Sequence, residues 1–451
     1  MKILYIIHQY LPNFHAGAEN YTHSLAHAMA DLGHDVFVVA TEPLSKNDYH
    51  IEEYKEGNVN VIKIHKNVSV ITGLEDTYTD FRYEEAFKGI FEKINPEFVH
   101  VQHLLYTSVG IIDFIKKRNI PIVYTLHDSW LECLRIAKLD YKNEICTGWS
   151  PEKCATCYNH SKLYIGNKKT AGAIRKILNV FLKSEILLRF LESIKKTIID
   201  LRPKNSKDRY FIEKRYDSLH GIVDLVDLFI SPSQFLLDSY VKWEIPKNKI
   251  ILSRNGMEIF DQKEKMQKNG NASIVFAFTS FIRKEKGVDV LLDAFELLHE
   301  ENLDAKLVMY GRYDRNSSYG ADFVKRVAKL KNVEYRGGFD NKKINDILSE
   351  VDYLVLPALW LENAPLVIEE AYLNKIPCIV SNIGGMAERV DDGVNGLHFK
   401  VGNAQDLAEK IRYLLKNPQL REEFVKNIPH VKTIKENAKE IEEIYIGYRS
   451  L

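Results

Sequence analysis

The chain has 451 residues, too many for one ordinary hydrophobic core, and this length favours two domains. Lysine and arginine together number 62, as do aspartate and glutamate, so the overall charge gives no general attraction to nucleic acid. No apolar run reaches the roughly 18 residues that a membrane-spanning helix needs. We therefore expect a cytoplasmic protein, or one attached to the inner face of the membrane, without a nucleic-acid partner.

The N-terminus, MKILYIIHQYLP, has an apolar run of only five residues before His8, which indicates a first strand rather than a signal peptide. Four of the five cysteines lie close together in sequence, and Cys378 lies far from them. This distribution favours a reducing compartment and does not indicate a disulfide framework.

The first half of the chain alternates between strand and helix patterns. Strands are predicted at 2–8, 35–41, 59–65, 98–103, 121–127 and 226–231, and helices at about 17–32, 81–94 and 109–117. This alternation predicts an α/β unit with a doubly wound parallel sheet, whose ligands bind beyond the carboxyl ends of the strands. A dinucleotide dehydrogenase has to be considered, but the G-x-G-x-x-G expected after its first strand is missing.

His127 and Asp128 stand at the carboxyl end of one of these strands, in TLHDSW. Side chains in this position reach the ligand-binding edge of a parallel sheet. Two interpretations of His127 remain open: contact with a bound ligand, or hydrogen bonds that only support the fold.

Four cysteines follow within 25 residues: Cys133, Cys146, Cys154 and Cys157, the last two followed by His160 as C-x-x-C-x-x-H. Closely spaced soft ligands in a cytosolic protein predict a tetrahedral structural zinc site, although the gap between the first two is long. An iron–sulfur cluster and unrelated buried thiols are the alternatives. A nucleic-acid-binding finger is disfavoured because no basic recognition helix follows.

The segment 162–215 is strongly basic, with fifteen lysines and arginines against five acidic residues. Apolar residues recur through it at roughly helical spacing. An amphipathic helix of this kind binds an anionic membrane surface or packs its apolar face on the rest of the protein. Both interpretations remain open.

The second half again alternates strands and helices. Strands are predicted at 273–280, 306–311, 333–337, 353–357 and 377–381, helices at about 322–331 and 341–350, and further helices after Ala404, the last at about 433–448. The loop Ile383–Met386 is expected to precede a helix that begins near Glu388. A second doubly wound domain is therefore predicted.

Two carboxylates, Glu362 and Glu370, have the spacing Glu-x7-Glu around Pro365. Pro365 suits the first helical position, so Glu362 should lie in the loop beside the helix N-terminus, where free backbone N–H groups attract phosphate. A ligand with both phosphate and hydroxyl groups fits this arrangement, because a carboxylate accepts hydrogen bonds from a diol. Glu369 is expected to be a solvated helix residue.

We therefore assign sugar hydroxyls to Glu362, the ribose diol to Glu370, and the diphosphate to the intervening backbone. That backbone consists of Asn363, Ala364, Pro365 and Leu366. A sugar nucleotide carries all three groups.

The stretch 353–399, with LVLPA before Glu-x7-Glu and GGMAERVDDGVNGLHF after it, resembles the donor-binding signature of glycosyltransferase family 4. These are retaining nucleotide-sugar transferases with the GT-B fold. The resemblance implies two Rossmann-like doubly wound domains facing a cleft, with a cysteine-bearing helical insertion in the first. It implies an acceptor domain at 1–252 with the insertion at about 133–220, completed by a helix at about 433–451, and a donor domain at 253–432.

The resemblance also implies site residues. His127 would contact the transferred sugar, and Lys286, before a glycine, would stabilise the diphosphate. Ala16-Gly17 stands where the family has a glycine-bearing loop near the donor phosphate. The family's Gly-Arg before this lysine is replaced by Ser280 and Phe281, and Arg283 is the candidate for the same phosphate.

The expected function is transfer of a sugar from a nucleotide-sugar donor to a saccharide or lipid-linked acceptor, in the synthesis of surface polysaccharide or glycoconjugate. No catalytic metal is expected, and the family implies a front-face route in which the leaving phosphate assists the acceptor. A nucleotide-sugar epimerase of the same fold, a Rossmann oxidoreductase and a cysteine-based binding module are the alternatives.

Overall fold

A computed structural model describes residues 1–43, 45–71, 73–165, 206–259, 273–340 and 343–449. The chain divides into two compact units, the first made of Met1–Thr22, Ala30–Phe229 and Lys242–Lys249, the second of His23–Met29, Ile230–Val241 and Ile250–Leu451. Most of the basic segment predicted at 162–215 lies outside the described residues, and so does the membrane-binding helix predicted for it.

The first sheet has eight strands in the order β3-β4-β2-β1-β5-β6-β7-β8. Its strands are β1 (Lys2–Ile7), β2 (Asp35–Glu42), β3 (Ile51–Glu56), β4 (Val59–His65), β5 (Phe98–Val101), β6 (Ile122–Thr125), β7 (Leu228–Ser231) and β8 (Ile250–Leu252). Strand β1 pairs in parallel with both β2 and β5, and its side chains Ile3 to Ile7 are fully buried, which explains its uninterrupted apolar sequence.

Strand β3 was not predicted. It pairs antiparallel with β4 at the edge of the sheet, and its sequence, IEEYKE, is mostly charged and exposed. A charged edge strand has no apolar run to reveal it, and charge on an edge strand discourages pairing with other chains.

The helices up to the end of the first sheet are α1 (Gly17–Asp31), α2 (Phe81–Ile94), α3 (Gly110–Lys116), α4 (Pro151–Ile165), α5 (Ser206–His220), α6 (Ile222–Leu225) and α7 (Gln234–Lys242). Helix α2 shows why the sequence folds this way: Asp80 caps its N-terminus by accepting from the amide of Tyr83 at 3.0 Å. Its apolar stripe, including Phe87, Phe91 and Ile94, is buried.

The second sheet is parallel, with the order β11-β10-β9-β12-β13-β14. Its strands are β9 (Ile274–Thr279), β10 (Ala305–Tyr310), β11 (Val333–Gly337), β12 (Tyr353–Leu356), β13 (Cys378–Ser381) and β14 (Gly396–Phe399). Chain order reverses between β9 and β12, and ligands of doubly wound sheets bind beyond the strand ends at such a switch point. Both predicted doubly wound α/β sheets are therefore confirmed.

The remaining helices are α8 (Val288–Glu300), α9 (Ser318–Val327), α10 (Ile344–Leu348), α11 (Leu366–Leu373), α12 (Gly384–Arg389), α13 (Ala404–Lys416), α14 (Leu420–Lys426) and α15 (Ile434–Arg449). Two of these helices begin earlier than predicted. Helix α9 begins four residues earlier than 322 because the hydroxyl of Ser317 caps it, accepting from the amide of Gly320 at 3.0 Å. Helix α12 begins at Gly384, in the stretch predicted as a loop.

Candidate active site

The loop between β12 and α11 holds Glu362 beside the start of a helix. Pro365 was predicted to be the first helical residue, but its φ of −67° and ψ of 113° make it the N-cap, and α11 begins one residue later, at Leu366. Its carbonyl accepts the first helical hydrogen bond, from the amide of Ile368 at 3.0 Å. Glu362 is therefore a loop residue, and the amides of Leu366 and Val367, which precede this first bond, have no partner within the helix.

Lys286 and Glu362 form an ion pair within the second unit. Lys286 Nζ donates to Glu362 Oε1, and the same oxygen accepts from Trp360 Nε1 at 2.6 Å. The lysine also lies over the indole, with Nζ 5.0 Å from the ring centroid. The side chains of Lys286 and Glu362 are 22% and 14% exposed, so the pair is largely desolvated yet open on one side.

Glycines bring this pair together. Gly287 has φ +72°, and a Cβ there would lie 1.7 Å from the carbonyl oxygen of Pro357. Gly385 packs equally closely, since its Cβ would lie 1.4 Å from the carbonyl oxygen of Asn363, and its amide donates to Glu362 O at 2.8 Å. Only residues without a side chain let these segments approach.

The backbone predicted to face a diphosphate lines a small, partly open pocket in the second unit. Its walls are Pro232, Arg254, Asn255, Asn363, Ala364, Pro365, Leu366, Glu369, Gly385 and Arg389. The side chain of Asn363 is fixed there, because its Oδ1 accepts from the hydroxyl of Ser233 at 2.5 Å. Both arginines of the pocket are paired with glutamates, Arg254 with Glu388 and Arg389 with Glu369, so the feature that favours an anion here is the N-terminus of α11.

Glu370 is a buried acid in α11, 9% exposed. Burial raises its pKa from 4.5 to about 7. A carboxyl group with a pKa near 7 donates a hydrogen bond when it is protonated and only accepts hydrogen bonds when it is ionised. Both forms suit recognition of a diol, whose hydroxyls donate and accept.

The prediction that Glu369 is a solvated residue was wrong. Its carboxylate accepts two hydrogen bonds from Arg389, Nε at 2.6 Å and a terminal nitrogen at 2.7 Å, and its side chain is 16% exposed. The stretch GGMAER forms α12 and presents Arg389 to α11, a contact that helix periodicity in α11 alone does not reveal.

Two other predicted site residues are exposed. The side chain of Arg283 is 63% exposed, and its guanidinium lies 3.9 Å from Glu285 and beside Phe281. The amide of Lys286 donates to the carbonyl of Arg283 at 3.1 Å, but the described contacts of the Arg283 side chain are with Glu285 and Phe281 and not with the Lys286 ammonium. Gly17 is the exposed first residue of α1, in the first unit, two residues before the buried Glu19.

In the first unit, a polar cluster lies at the carboxyl ends of β1, β5 and β6. His8 Nε2 is 3.5 Å from a carboxylate oxygen of Glu19, and the rings of His8 and His103 are 4.3 Å apart. The amide of Leu105 donates to His103 Nδ1 at 3.0 Å, which leaves the ring proton on Nε2 to be donated to Asp128 at 3.2 Å. The donor and the acceptor are therefore defined in both hydrogen bonds of His103.

The surroundings shift the pKa values of the titratable groups in this cluster in different directions. Burial, and then the neighbouring His103, lower the pKa of His127 to about 3, so its imidazole is neutral at pH 7. Burial acts to raise the pKa of Asp128, but His103 and hydrogen bonds from His103 and the Trp130 amide together hold it below its usual value. Burial raises the pKa of Glu19.

His127 Nε2 lies 2.7 Å from the side-chain oxygen of Gln102, so the ring donates there. This contact fits both interpretations of His127, ligand contact and structural support. Three neighbouring buried atoms, Gln102 Nε2, His8 Nδ1 and Glu19 Oε2, have no hydrogen-bond partner within the described residues. Buried polar atoms are rarely left in this state, so these three atoms are available to a polar partner from outside the chain, either water or a ligand.

Sequence reasoning singled out His127 but missed His8 and His103. The signal was present, since all three are the last residues of predicted strands, and these strands are neighbours in one parallel sheet. It also missed Trp360, two residues before Glu362. The four predicted zinc ligands are all in the first unit, and none of them forms a disulfide within the part of the chain that the structure describes.

Comparison with known proteins agrees with this architecture. Residues 15–169 match the family model described as Glycosyltransferase Family 4, and residues 260–431 match the model described as Glycosyl transferases group 1. The fold is similar to that of Anabaena HepE in complex with UDP and glucose, with a TM-score of 0.61, 15% identity and 99% coverage of each chain. The two doubly wound units thus define a protein of the GT-B fold.

The two family-model matches together span most of the chain, which belongs to the family 4 type of glycosyltransferases. An uncharacterised glycosyltransferase of Methanocaldococcus jannaschii is 28% identical over 45% of this chain and 52% of its own length. A Campylobacter jejuni protein named N,N'-diacetylbacillosaminyl-diphospho-undecaprenol alpha-1,3-N-acetylgalactosaminyltransferase is 32% identical over 32% of this chain and 35% of its own length. The match therefore spans about half, or less, of these curated relatives.

Among the helices formed by the described residues, none combines the length and the apolar character needed to cross a membrane.

Proposed function

We propose that this protein transfers a sugar, with retention of configuration, from a nucleotide-sugar donor to a saccharide or lipid-linked acceptor in polysaccharide or glycoconjugate synthesis. The observation that carries the proposal is the pairing of Lys286 with Glu362 beside the N-terminus of α11, with the buried Glu370 further along that helix. A cation, a helix N-terminus and two carboxyls match a diphosphate and two sets of sugar hydroxyls.

The donor can bind without separating the ion pair. An ammonium group has three N–H donors, so Lys286 can hold Glu362 and a phosphate oxygen together. Both hydrogen bonds to Glu362 end on Oε1, which leaves Oε2 to accept from a hydroxyl of the transferred sugar. Trp360 offers an apolar face beside that sugar.

In the proposed reaction the bond between the sugar carbon and the diphosphate oxygen breaks, and its electron pair stays on the diphosphate. Lys286 and the first amides of α11 stabilise that charge. The acceptor hydroxyl forms the new bond on the face that the diphosphate leaves, and its proton passes to the departing phosphate oxygen. No enzyme carboxylate becomes a covalent nucleophile in this route.

We assign acceptor recognition to the polar cluster of the first unit. Its partnerless atoms, Glu19 Oε2, His8 Nδ1 and Gln102 Nε2, can bind sugar hydroxyls, which both donate and accept. The named activity of the Campylobacter relative, on a diphospho-undecaprenol acceptor, supports a lipid-linked acceptor for this chain. HepE was solved with UDP and glucose, which supports a uridine nucleotide as the first donor to test.

The test is a donor screen with the full chain. UDP-, GDP- and ADP-sugars are incubated with saccharide and diphospho-lipid acceptors, and released nucleotide and product configuration are measured. Acceptor-dependent release with retained configuration supports the proposal. Interconversion of the donor without acceptor would identify an epimerase, and a change in nicotinamide absorbance would identify an oxidoreductase.

Glu370→Ala provides the matching binding test. Loss of hydrogen bonds to the ribose diol should weaken nucleoside diphosphate binding by about 1.5–3 kcal/mol, or roughly ten- to a hundred-fold, in calorimetry. Glu409→Ala removes an exposed carboxylate of the same unit and should leave affinity unchanged. Unchanged affinity in Glu370→Ala would refute the ribose assignment.

A lipid-linked acceptor would place the enzyme at the inner face of the membrane, and we assign attachment to the basic segment 162–215. Co-sedimentation with anionic and neutral liposomes tests this. We expect binding to anionic vesicles only, lost when Lys168, Lys169, Arg175 and Lys176 are changed to Gln. Equal recovery with both vesicles, or no effect of the changes, would refute it.

A further inference from the structure

The four clustered cysteines come from three separate pieces of the first unit. Cys133 follows the loop that begins at His127, and its amide donates to Ser129 O at 2.7 Å. Cys146 closes a short hairpin, in which its amide donates to Lys138 O at 2.7 Å and Leu139 bridges Ile145 in antiparallel fashion. The fold therefore brings the first two thiols together despite their long separation in sequence.

Helix α4 supplies the other two thiols. Cys154 and Cys157 are three residues apart in Pro151–Ile165, so they are neighbours on one face of the helix. Each of the four thiols interacts electrostatically with the other three, which shows that they share one region. Cys157 is buried and the others are partly buried, and all are free of disulfides.

The sulfur atoms converge without forming a coordination sphere. Among the described residues, no three of these sulfurs all lie within 4.8 Å of one another. A tetrahedral site with Zn–S bonds of about 2.3 Å needs sulfur–sulfur distances of roughly 3.8 Å. Cysteine rotamer changes move sulfurs without moving the backbone, so ligand binding can draw these four together. His160 of α4 stacks on Tyr141, with ring centroids 4.0 Å apart, which joins this helix to the segment between Cys133 and Cys146.

We propose that Cys133, Cys146, Cys154 and Cys157 bind one Zn²⁺ and that this ion fixes the loop that follows His127 and Asp128. Thiolate is a soft ligand and selects zinc over magnesium or calcium.

The contacts of the loop explain how the ion would act on the polar cluster. The amide of Trp130 donates to Asp128 Oδ1 at 2.8 Å, and the buried Arg215 donates to the carbonyls of Trp130 and Leu131. Cys133 follows these residues in the same loop, and its amide is bonded to the carbonyl of Ser129. Holding its sulfur therefore restrains the segment that orients Asp128, independently of which sugar the enzyme transfers.

The experiment is metal analysis of the full chain purified without added zinc. We expect about one zinc per chain, released when a mercurial reagent reacts with the thiols. Cobalt exchange should give the absorbance of tetrahedral thiolate coordination. Cys157→Ser should lose the ion, whereas Cys378→Ala, a change of the buried cysteine in the second sheet, should keep it.

A second measurement keeps the proposal testable when a variant fails to fold. Chelation of zinc from the wild-type chain should expose four additional thiols and speed hydrogen exchange across 128–157. Absence of stoichiometric metal with all four thiols reactive in the native chain overturns the proposal. Bound iron with visible absorbance, or zinc retained after each cysteine is replaced in turn, overturns it as well.

Discussion

Lys286 and Glu362 are 76 positions apart in sequence, and yet Lys286 Nζ donates to Glu362 Oε1. The pair places a positive charge and a hydroxyl acceptor at one point beside the N-terminus of α11. Each partner holds the other in position, and Trp360 contacts both. This arrangement is preorganised, so little reorganisation is needed when charge develops on a leaving diphosphate.

We predict that Lys286→Ala lowers turnover by about 10²-fold or more, because one preorganised charge on the leaving group is lost. Initial rates at saturating donor measure this effect. Lys284→Ala is the control and should retain activity, because Lys284 is an exposed residue of the same short 3-10 helix, Lys284–Lys286. Normal turnover with only a changed donor KM would contradict the role given to Lys286.

Gly287→Ala should destabilise the second unit by about 3 kcal/mol or more, because its Cβ would overlap the Pro357 carbonyl as well as straining a left-handed backbone. Gly393 is a matched control: its φ of +74° is similar, but nothing lies within 4 Å of its Cβ position. Gly393→Ala should therefore cost only the backbone strain, roughly 1 kcal/mol. Urea unfolding compares the two, and equal losses would refute the close-packing argument.

Glu370 should make stability depend on pH. Its folded-state pKa of about 7 lies above its usual 4.5, so between these values the folded chain holds a proton that the unfolded chain releases. Its contribution to stability is therefore complete below the unfolded pKa and is lost as pH rises through about 7. Between about pH 5.5 and about pH 8, wild type should lose about 2 kcal/mol relative to Glu370→Gln.

Unfolding curves of both proteins at several pH values check this prediction, with Glu409→Gln as an exposed-acid control. A constant difference between wild type and Glu370→Gln across this range would show that Glu370 is ionised throughout.

His127→Ala should lower transfer by about ten-fold, the equivalent of one hydrogen bond of roughly 1.4 kcal/mol to the transferred sugar. Affinity for nucleoside diphosphate, which lacks that sugar, should not change. His50→Ala, at an exposed histidine of the first unit, serves as the control. A drop in thermal stability with unchanged transfer by the folded fraction would instead make His127 a structural residue.

Much of the site could be placed from sequence because it depends on local signals. Pro365 limits where α11 can begin, and Glu362 therefore had to lie in the preceding loop. Uninterrupted apolar runs such as β1 marked buried parallel strands, and the carboxyl end of a strand marked His127. The charged edge strand β3 escaped detection because its residues are not buried.

The sequence by itself determined the two doubly wound α/β units and the residues of the Glu-x7-Glu stretch, because strand periodicity, proline and glycine act within a few residues. Only the tertiary structure decided which side chains of the site contact each other. The pairing of Glu369 with Arg389 and of Lys286 with Glu362, and the convergence of His8 with His103, join segments that are distant in sequence. Such contacts depend on how strands order in a sheet, and no local pattern records that order.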